Sequence, residues 1–427
     1  MYSTNRPMDM KIAVVGSGIS GLASAWLLNQ KHEVTLFEAA NYLGGHTNTV
    51  DVTLEGVTHP VDTGFLVHND LTYPNLIQLF KHLDVETYDT EMSFSVKLPD
   101  HNVEWAGSSL STVFGQKRNL IRLAFLRMLI DLLRFNSRAQ QHLLVSRQKG
   151  LALGELLDQE GYSSVLRDWY LLPMAAAIWS CSPEEILRFP AETFLNFCIN
   201  HRLLQVEGRP QWRTIAGGGR AYVKRMAASI DTRLNHVIER VTRSEKGVEL
   251  TSGGVAHQFD AVIFATHAPD TLRMLADADE QEKQVLGAVG YQANTAVLHT
   301  DARFLPERES LWSAWNYLST GESDQTVCVT YLLNKLQRLP FNSPVMVTLN
   351  PPETMQPEHE IARYHYDHPV FDQVAIAAQS ALPQIQGRNR AWFCGAWCGY
   401  GFHEDGLKSA LRVTADFDVE APWPVVL

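Results

Sequence analysis

Three glycines, Gly16, Gly18 and Gly21, are spaced as G-x-G-x-x-G with Ser17, Ile19 and Ser20 between them. They follow an apolar, β-branched run, KIAVV, and open a stretch with helical spacing, LASAWLLN. Strand, glycine turn and helix in that order are chemistry for a dinucleotide: Gly16 permits the tight turn, Gly18 lets backbone approach a diphosphate, and Gly21 lets helix pack on strand. A second strand-like run, EVTLF, ends at Glu38 and Ala39, twenty-two positions after Gly16. A carboxylate there accepts hydrogen bonds from both ribose hydroxyls and repels a 2′-phosphate, which disfavours NADP.

Six residues after Glu38 stand Gly44, Gly45, His46 and Thr47, a second glycine pair close to the same phosphates. At these residues the chain resembles the flavin amine oxidase and phytoene desaturase superfamily, in which the acid is followed by a Gly-Gly-Arg segment embracing FAD. His46 stands where the arginine usually stands, a titratable partner in place of a permanent cation. The resemblance implies non-covalent FAD as the cofactor.

The resemblance runs through three separated blocks. In the first, Val61-Asp62-Thr63-Gly64-Phe65 is similar to the family's turn beside the flavin ring, with Thr63, Gly64 and Phe65 near the cofactor; a plain β-turn explains it as well. The second runs from Trp212 through Gly217-Gly218-Gly219, a helix over 222–229 and hairpin-like strands to an apolar run ending in Ala265 and Thr266. There the resemblance places Val237 against adenine. The triple glycine lacks the strand and acid of a second fingerprint, so a separate nicotinamide site is not expected. The third block reads as a strand, Ala391-Trp-Phe-Cys394-Gly395-Ala396, a Gly-rich turn and a helix over 405–417. By resemblance its N-terminus, at Asp405, Gly406 and Leu407, points free N–H groups at the flavin, with Gly395 and Ala396 beside the ribityl chain. Ala396 replaces the acid usual there. Tyr400 and His403 lie in the turn nearest the ring and are the candidate catalytic residues. His403 reads either as a proton acceptor or donor or as a residue that only hydrogen-bonds the turn.

The elements that must position these groups follow from the spacing. An α/β fold is expected, with a Rossmann-like FAD-binding domain (10–70, 212–269 and 383–420) interleaved with an α+β substrate domain (71–211 and 270–382). Strand-like alternation around Tyr291–His299, Trp312–Tyr317 and Tyr331–Asn334 gives the second insert a sheet, read either as an aromatic floor under the flavin or as simple core. The amine oxidase branch carries a lysine in this insert, and the run from Tyr291 to His299 has none.

Composition narrows the classes. The chain has 427 residues, 45% hydrophobic and 19% charged, so it is globular with large cores, and its net charge of −11 argues against nucleic acid as a partner. The five cysteines have no zinc or disulfide spacing, and His365 and His368 lack a third ligand, so no metal is expected. The polar residues 1–10 leave no room for a secretion signal, and no run is apolar enough to span a bilayer; the location expected is cytoplasmic, with peripheral contact at the inner membrane as an open reading. That contact would fall on residues 117–149, where Lys117, Arg118, Arg122, Arg127, Arg134, Arg138, Arg147 and Lys149 face one acid, Asp131. Read as an interfacial helix, the stretch turns Leu123, Phe125, Leu126, Leu129 and Leu133 to acyl chains; read plainly, it is a helix packed on the core with solvated arginines. Oligomeric state is not legible.

The order of motifs, including Gly-Gly-His-Thr, His-Thr-Asp301 and the turn Gly-Tyr-Gly-Phe-His-Glu-Asp-Gly, is similar to a bacterial subgroup of NAD/FAD-binding oxidoreductases associated with cyclopropane-type fatty-acid modification. It implies an FAD-dependent oxidoreductase that takes hydride from a C–H bond of a fatty-acyl or other lipid substrate. The alternatives are an amine oxidase, a double-bond isomerase and a non-catalytic FAD-containing accessory subunit.

Overall fold

The computed structural model describes residues 10–205, 208–319 and 328–427. The polar segment before residue 10 lies outside the described residues, as do short pieces of both inserts.

Lys11–Val15 is the middle strand of a parallel sheet ordered Asp231–Arg233, Glu33–Phe37, Lys11–Val15, Ala261–Phe264, Ala391–Phe393. Parallel neighbours need crossovers, and the helix Ile19–Leu28 supplies the first. Because both faces are covered, the strands are apolar on both sides. Ile12, Val14 and Leu36 pack against Leu22 and against Leu407 and Leu411 of the closing helix, His403–Ala415. Ala13, Val15, Phe37, Phe264 and Phe393 face the opposite way, onto the antiparallel meander Ile238–Ser244, Gly247–Ser252, Val255–Phe259. These cores reach past the expected boundaries. Tyr73, Leu76 and Phe80, beyond residue 70, pack with the first face, and Val285 and Leu286, beyond residue 269, with the second.

The inserts supply a seven-stranded sheet, ordered Glu360–Pro369, Tyr291–His299, Met346–Leu349, Cys328–Leu332, Trp315–Leu318, Phe94–Leu98, Val103–Ala106. All neighbours are antiparallel except Trp315–Leu318 and Phe94–Leu98. The strand expected to run to Asn334 stops at Leu332, because Leu333 and Leu336 turn into the core on a short helix. Helices cover this sheet, with Leu172–Trp179 and Ala191–Asn200 burying Ala175, Ala176, Phe194 and Phe197 in one core.

The basic stretch forms one 27-residue helix, Leu123–Lys149. Its buried stripe is Phe125, Met128, Asp131, Phe135, Ala139, His142 and Ser146, spaced three or four apart. This corrects the face drawn from sequence: Phe125 is buried against Trp105 and Val103, Leu126 and Leu129 are half-buried, and Leu123, Ile130 and Leu133 point outward. No described helix is long and apolar enough to cross a membrane.

Candidate active site

The glycine turn is held by contacts only glycine allows at two of its three positions. Gly16 has φ +98°, and a Cβ on it would sit 2.7 Å from the Ala265 carbonyl oxygen. A Cβ on Gly21 would sit 1.8 Å from the Gly16 carbonyl oxygen. Gly18 differs: a Cβ there meets nothing within 4 Å. No protein packing accounts for this glycine, and the space beside it is where a diphosphate is expected.

Glu38 faces this turn. Its carboxylate accepts from the Ser17 amide (2.9 Å), the Ser17 hydroxyl (2.6 Å) and the Ala40 amide (2.8 Å). Ala39 links these partners. The amide of His236 donates to the Glu38 carbonyl at 2.9 Å, which brings Val237, 58% exposed, to the rim beside that acid. The second glycine pair is tied to the first turn, since the Gly44 amide donates to Ser17, and a Cβ on Gly45 would lie 3.2 Å from the Gly18 Cα. Ala265 and Thr266 close the back of the turn, the Ala265 amide donating to Val15 and the Thr266 hydroxyl lying 2.8 Å from that of Thr271.

The turn at Thr63 to Phe65 folds over His46. The Phe65 amide donates to the His46 carbonyl (2.8 Å), and a Cβ on Gly64 would collide with that oxygen at 2.2 Å. The Thr63 hydroxyl lies 2.9 Å from that of Tyr366. The ring of His46 lies 4.9 Å from that of Tyr366, 5.4 Å from His368 and 6.4 Å from His267. Its Nε2 is shut from solvent without a partner. Desolvation, then the neighbouring imidazoles His368, His267 and His403, hold His46 well below the usual histidine range. It is a neutral ring here. The histidine cluster escaped sequence reading because His46 stands more than 200 residues before the others; His365, weighed with His368 for a metal, is exposed.

The closing helix begins at His403, two residues earlier than expected, because the Asp405 carboxylate caps it by accepting the Phe402 amide at 3.0 Å. This corrects the placement of free N–H groups: the Gly406 amide donates to the Phe402 carbonyl, so the unpaired donors of the first turn belong to residues before Gly406 and Leu407. Gly406 serves instead as a close approach, a Cβ there lying 2.8 Å from the Ile19 side chain and 3.7 Å from the Ala396 nitrogen. The Gly395 amide donates to the Ser409 hydroxyl, and Ala396 accepts from Gly399 and Gly401. Leu407 is core.

The two candidate catalytic residues part company. The Nε2 of His403 lies 2.9 Å from the Thr47 hydroxyl and 3.0 Å from the Tyr222 hydroxyl, which are 2.6 Å from each other. Desolvation, with a smaller contribution from His68, lowers its pKa to about 3. Of the two roles left open from sequence, these contacts fit a hydrogen-bonding one, made to Thr47 and Tyr222 and not within the turn itself. Tyr222 is the partner that sequence reading missed. Tyr400 lies across the turn against Phe197 and lines a cavity of about 560 Å³ with Thr193, Asn196 and Gln379.

Known proteins share this fold. The family model for flavin-containing amine oxidoreductases matches residues 19–349, and the chain belongs to that family, whose cofactor is FAD. A Mycobacterium tuberculosis relative named flavin-containing monoamine oxidase AofH is 28% identical over 265 residues, 58% of this chain and 55% of that protein. The carotenoid phi-ring synthase of Streptomyces griseus is 27% identical over 325 residues, 70% of this chain and 59% of that protein. The chain thus spans little more than half the length of these relatives. In fold it is similar to a CLA-producing fatty acid isomerase from P. acnes, with TM-score 0.69, 15% identity and coverage of 97% and 100% of the two chains.

The residues present fit FAD. The unfilled space at Gly18, the facing Gly45 and the fixed carboxylate of Glu38 form a cradle for a dinucleotide, and His46 offers a shielded, unpartnered nitrogen beside it. When bound, FAD supplies a two-electron hydride acceptor.

Proposed function

We propose that this chain is an FAD-dependent oxidoreductase that removes a hydride and a proton from a hydrophobic, fatty-acyl or other lipid substrate, leaving a carbon–carbon double bond. The observation that carries the reading is an aromatic, uncharged wall between the helices and the seven-stranded sheet. Phe402, the residue before His403, stacks on Phe197 (5.1 Å, 16°), and Phe197 stacks on His201 (3.9 Å). Trp315 and Tyr331 meet edge to face at 5.1 Å and join the apolar cores on both sides. Burial lowers His201 to about 4 and raises Tyr331, so these groups are neutral at physiological pH. Such an aromatic cluster favours an apolar chain over a cationic amine, and Glu192, the acid lining the cavity at Tyr400, is already paired with Arg147. The carotenoid-synthesising relative fits a hydrophobic substrate.

Amine oxidation is the second reading, favoured by the likeness to AofH. An anaerobic visible spectrum separates them: a lipid extract bleaches the flavin absorbance if the proposal holds, and bleaching by a panel of amines but by no lipid overturns it.

A further inference from the structure

The turn that leads into the long helix carries three large apolar side chains held out in solvent within four residues: Leu120, Ile121 and Leu123 are 54%, 83% and 81% exposed. Burial of such side chains is worth about 1.5–3 kcal/mol each, so their joint exposure at one tip is a free-energy cost that an apolar partner removes. Ile130 and Leu133, 61% and 64% exposed, continue the outward face along the next turns of the helix.

Three cations flank the same tip. Arg118 and Arg122 donate to the backbone carbonyl of Asn102, Arg122 also to that of His101, and Arg122 feels the like charge of Arg118. Further along the helix the arginines find carboxylates: Arg127 and Arg134 pair with Asp131, Arg138 with Glu160, and Arg147 with Glu192. Among the described residues no ion pair neutralises Lys117, Arg118 or Arg122. An uncompensated positive tip on a chain of net charge −11 is a local arrangement, not a reflection of composition.

We infer that this tip docks on the surface of an anionic lipid bilayer, Leu120, Ile121 and Leu123 entering the acyl boundary and Lys117, Arg118 and Arg122 meeting the headgroups. Apolar tips ringed by unpaired cations complement both layers of such a surface at once. None of these six residues belongs to the candidate active site.

Co-sedimentation of the full-length flavin-loaded protein with vesicles tests it. Binding is expected to phosphatidylcholine vesicles carrying about a third phosphatidylglycerol, to weaken with salt, and to be absent with phosphatidylcholine alone. Combined Leu120→Ser, Ile121→Ser and Leu123→Ser changes should weaken binding on the order of a hundredfold with an unchanged flavin spectrum. Replacing Lys117, Arg118 and Arg122 by Gln should cost about the same, at roughly a factor of five per cation. Equal recovery in the supernatant with both vesicle types overturns the inference. So does a dimer in light scattering that the serine changes convert to monomer, since the tip would then cover a second copy.

Discussion

His403 lies flat on Phe65, ring centroids 3.6 Å apart and 12° from parallel, while its Nε2 reaches the hydroxyls of Thr47 and Tyr222. One imidazole thus joins the closing helix to the glycine pair, to the turn at Thr63 to Phe65 and to the helix Arg220–Ala227.

The pH dependence of stability follows. Desolvation puts His403 at about 3 and His68, His201, His299 and His368 at about 4, below the roughly 6.5 of an unfolded chain. Between those values the unfolded state binds more protons, so their contribution is full above pH 6.5 and is lost as pH falls towards 4. Asp62 and Asp405, raised to about 6, act oppositely but are fewer. The thermal midpoint should therefore fall steadily from pH 7 to pH 5, and His403→Gln should flatten that slope; a midpoint insensitive to pH in this range contradicts the account.

Gly18 and Gly21 should separate cofactor binding from folding. Gly18→Ala meets no atom and has φ −61°, so the apoprotein should melt as the parent does while FAD affinity drops at least about tenfold. Gly21→Ala drives a methyl into the Gly16 carbonyl and should cost about 3 kcal/mol in denaturant unfolding of the apoprotein. The pair is read by flavin fluorescence titration and urea melts on the same samples.

Asp62 accepts the Thr49 hydroxyl at 2.5 Å and the Gly219 amide at 2.9 Å. Asp62→Ala strands both donors and should cost about 3 kcal/mol. Its folded pKa is raised, so the carboxylate's stabilisation present at low pH is lost as pH rises through about 6. Asp62→Asn, free of that charge, should lie closer to the parent at pH 8 than at pH 5 in thermal melts.

Arg243 and Glu282 form an ion pair with side chains 1% and 0% exposed, in bonds of 2.5 and 2.8 Å. Arg243 also pairs with Asp277 at 3.0 Å, and the Glu282 carboxylate accepts the Asp279 amide at 2.9 Å. Glu282→Ala leaves Arg243 only its half-buried partner, so it should cost about 3 kcal/mol in urea unfolding at unchanged m-value, and Arg243→Met combined with Glu282→Leu should recover part of it. A single-variant loss below about 1 kcal/mol would show that water reaches the pair.

What the sequence made legible is what neighbouring residues decide among themselves. The spacing of Gly16, Gly18 and Gly21, the acid at Glu38 and the strand Tyr291–His299 rest on local backbone sterics and alternation, and they stand where expected, while the strand expected from Trp312 begins only at Trp315 and ends at Leu318. The partners of His403 lie 181 and 356 positions away, and His46 meets His368 only because the turn that carries His46 lies against the strand Glu360–Pro369. No local pattern encodes such a meeting. The long helix misled for a related reason: its leucines are frequent on every side, and only contact with Trp105 and Val103 decides that Phe125 turns inward and Leu123 outward.

The parallel sheet has a consequence for biosynthesis. Its edge strand Ala391–Phe393 pairs with Ala261–Phe264, laid down nearly 130 residues earlier, and the first helix waits for the closing helix to cover it. On the ribosome, at about 5–20 residues per second, the half-made cofactor cradle stands with one strand edge bare for about 6–26 seconds. Flavin capture by a nascent chain therefore reports that translation has passed the last strand, and chains halted before it expose an edge suited to aggregation and proteolysis.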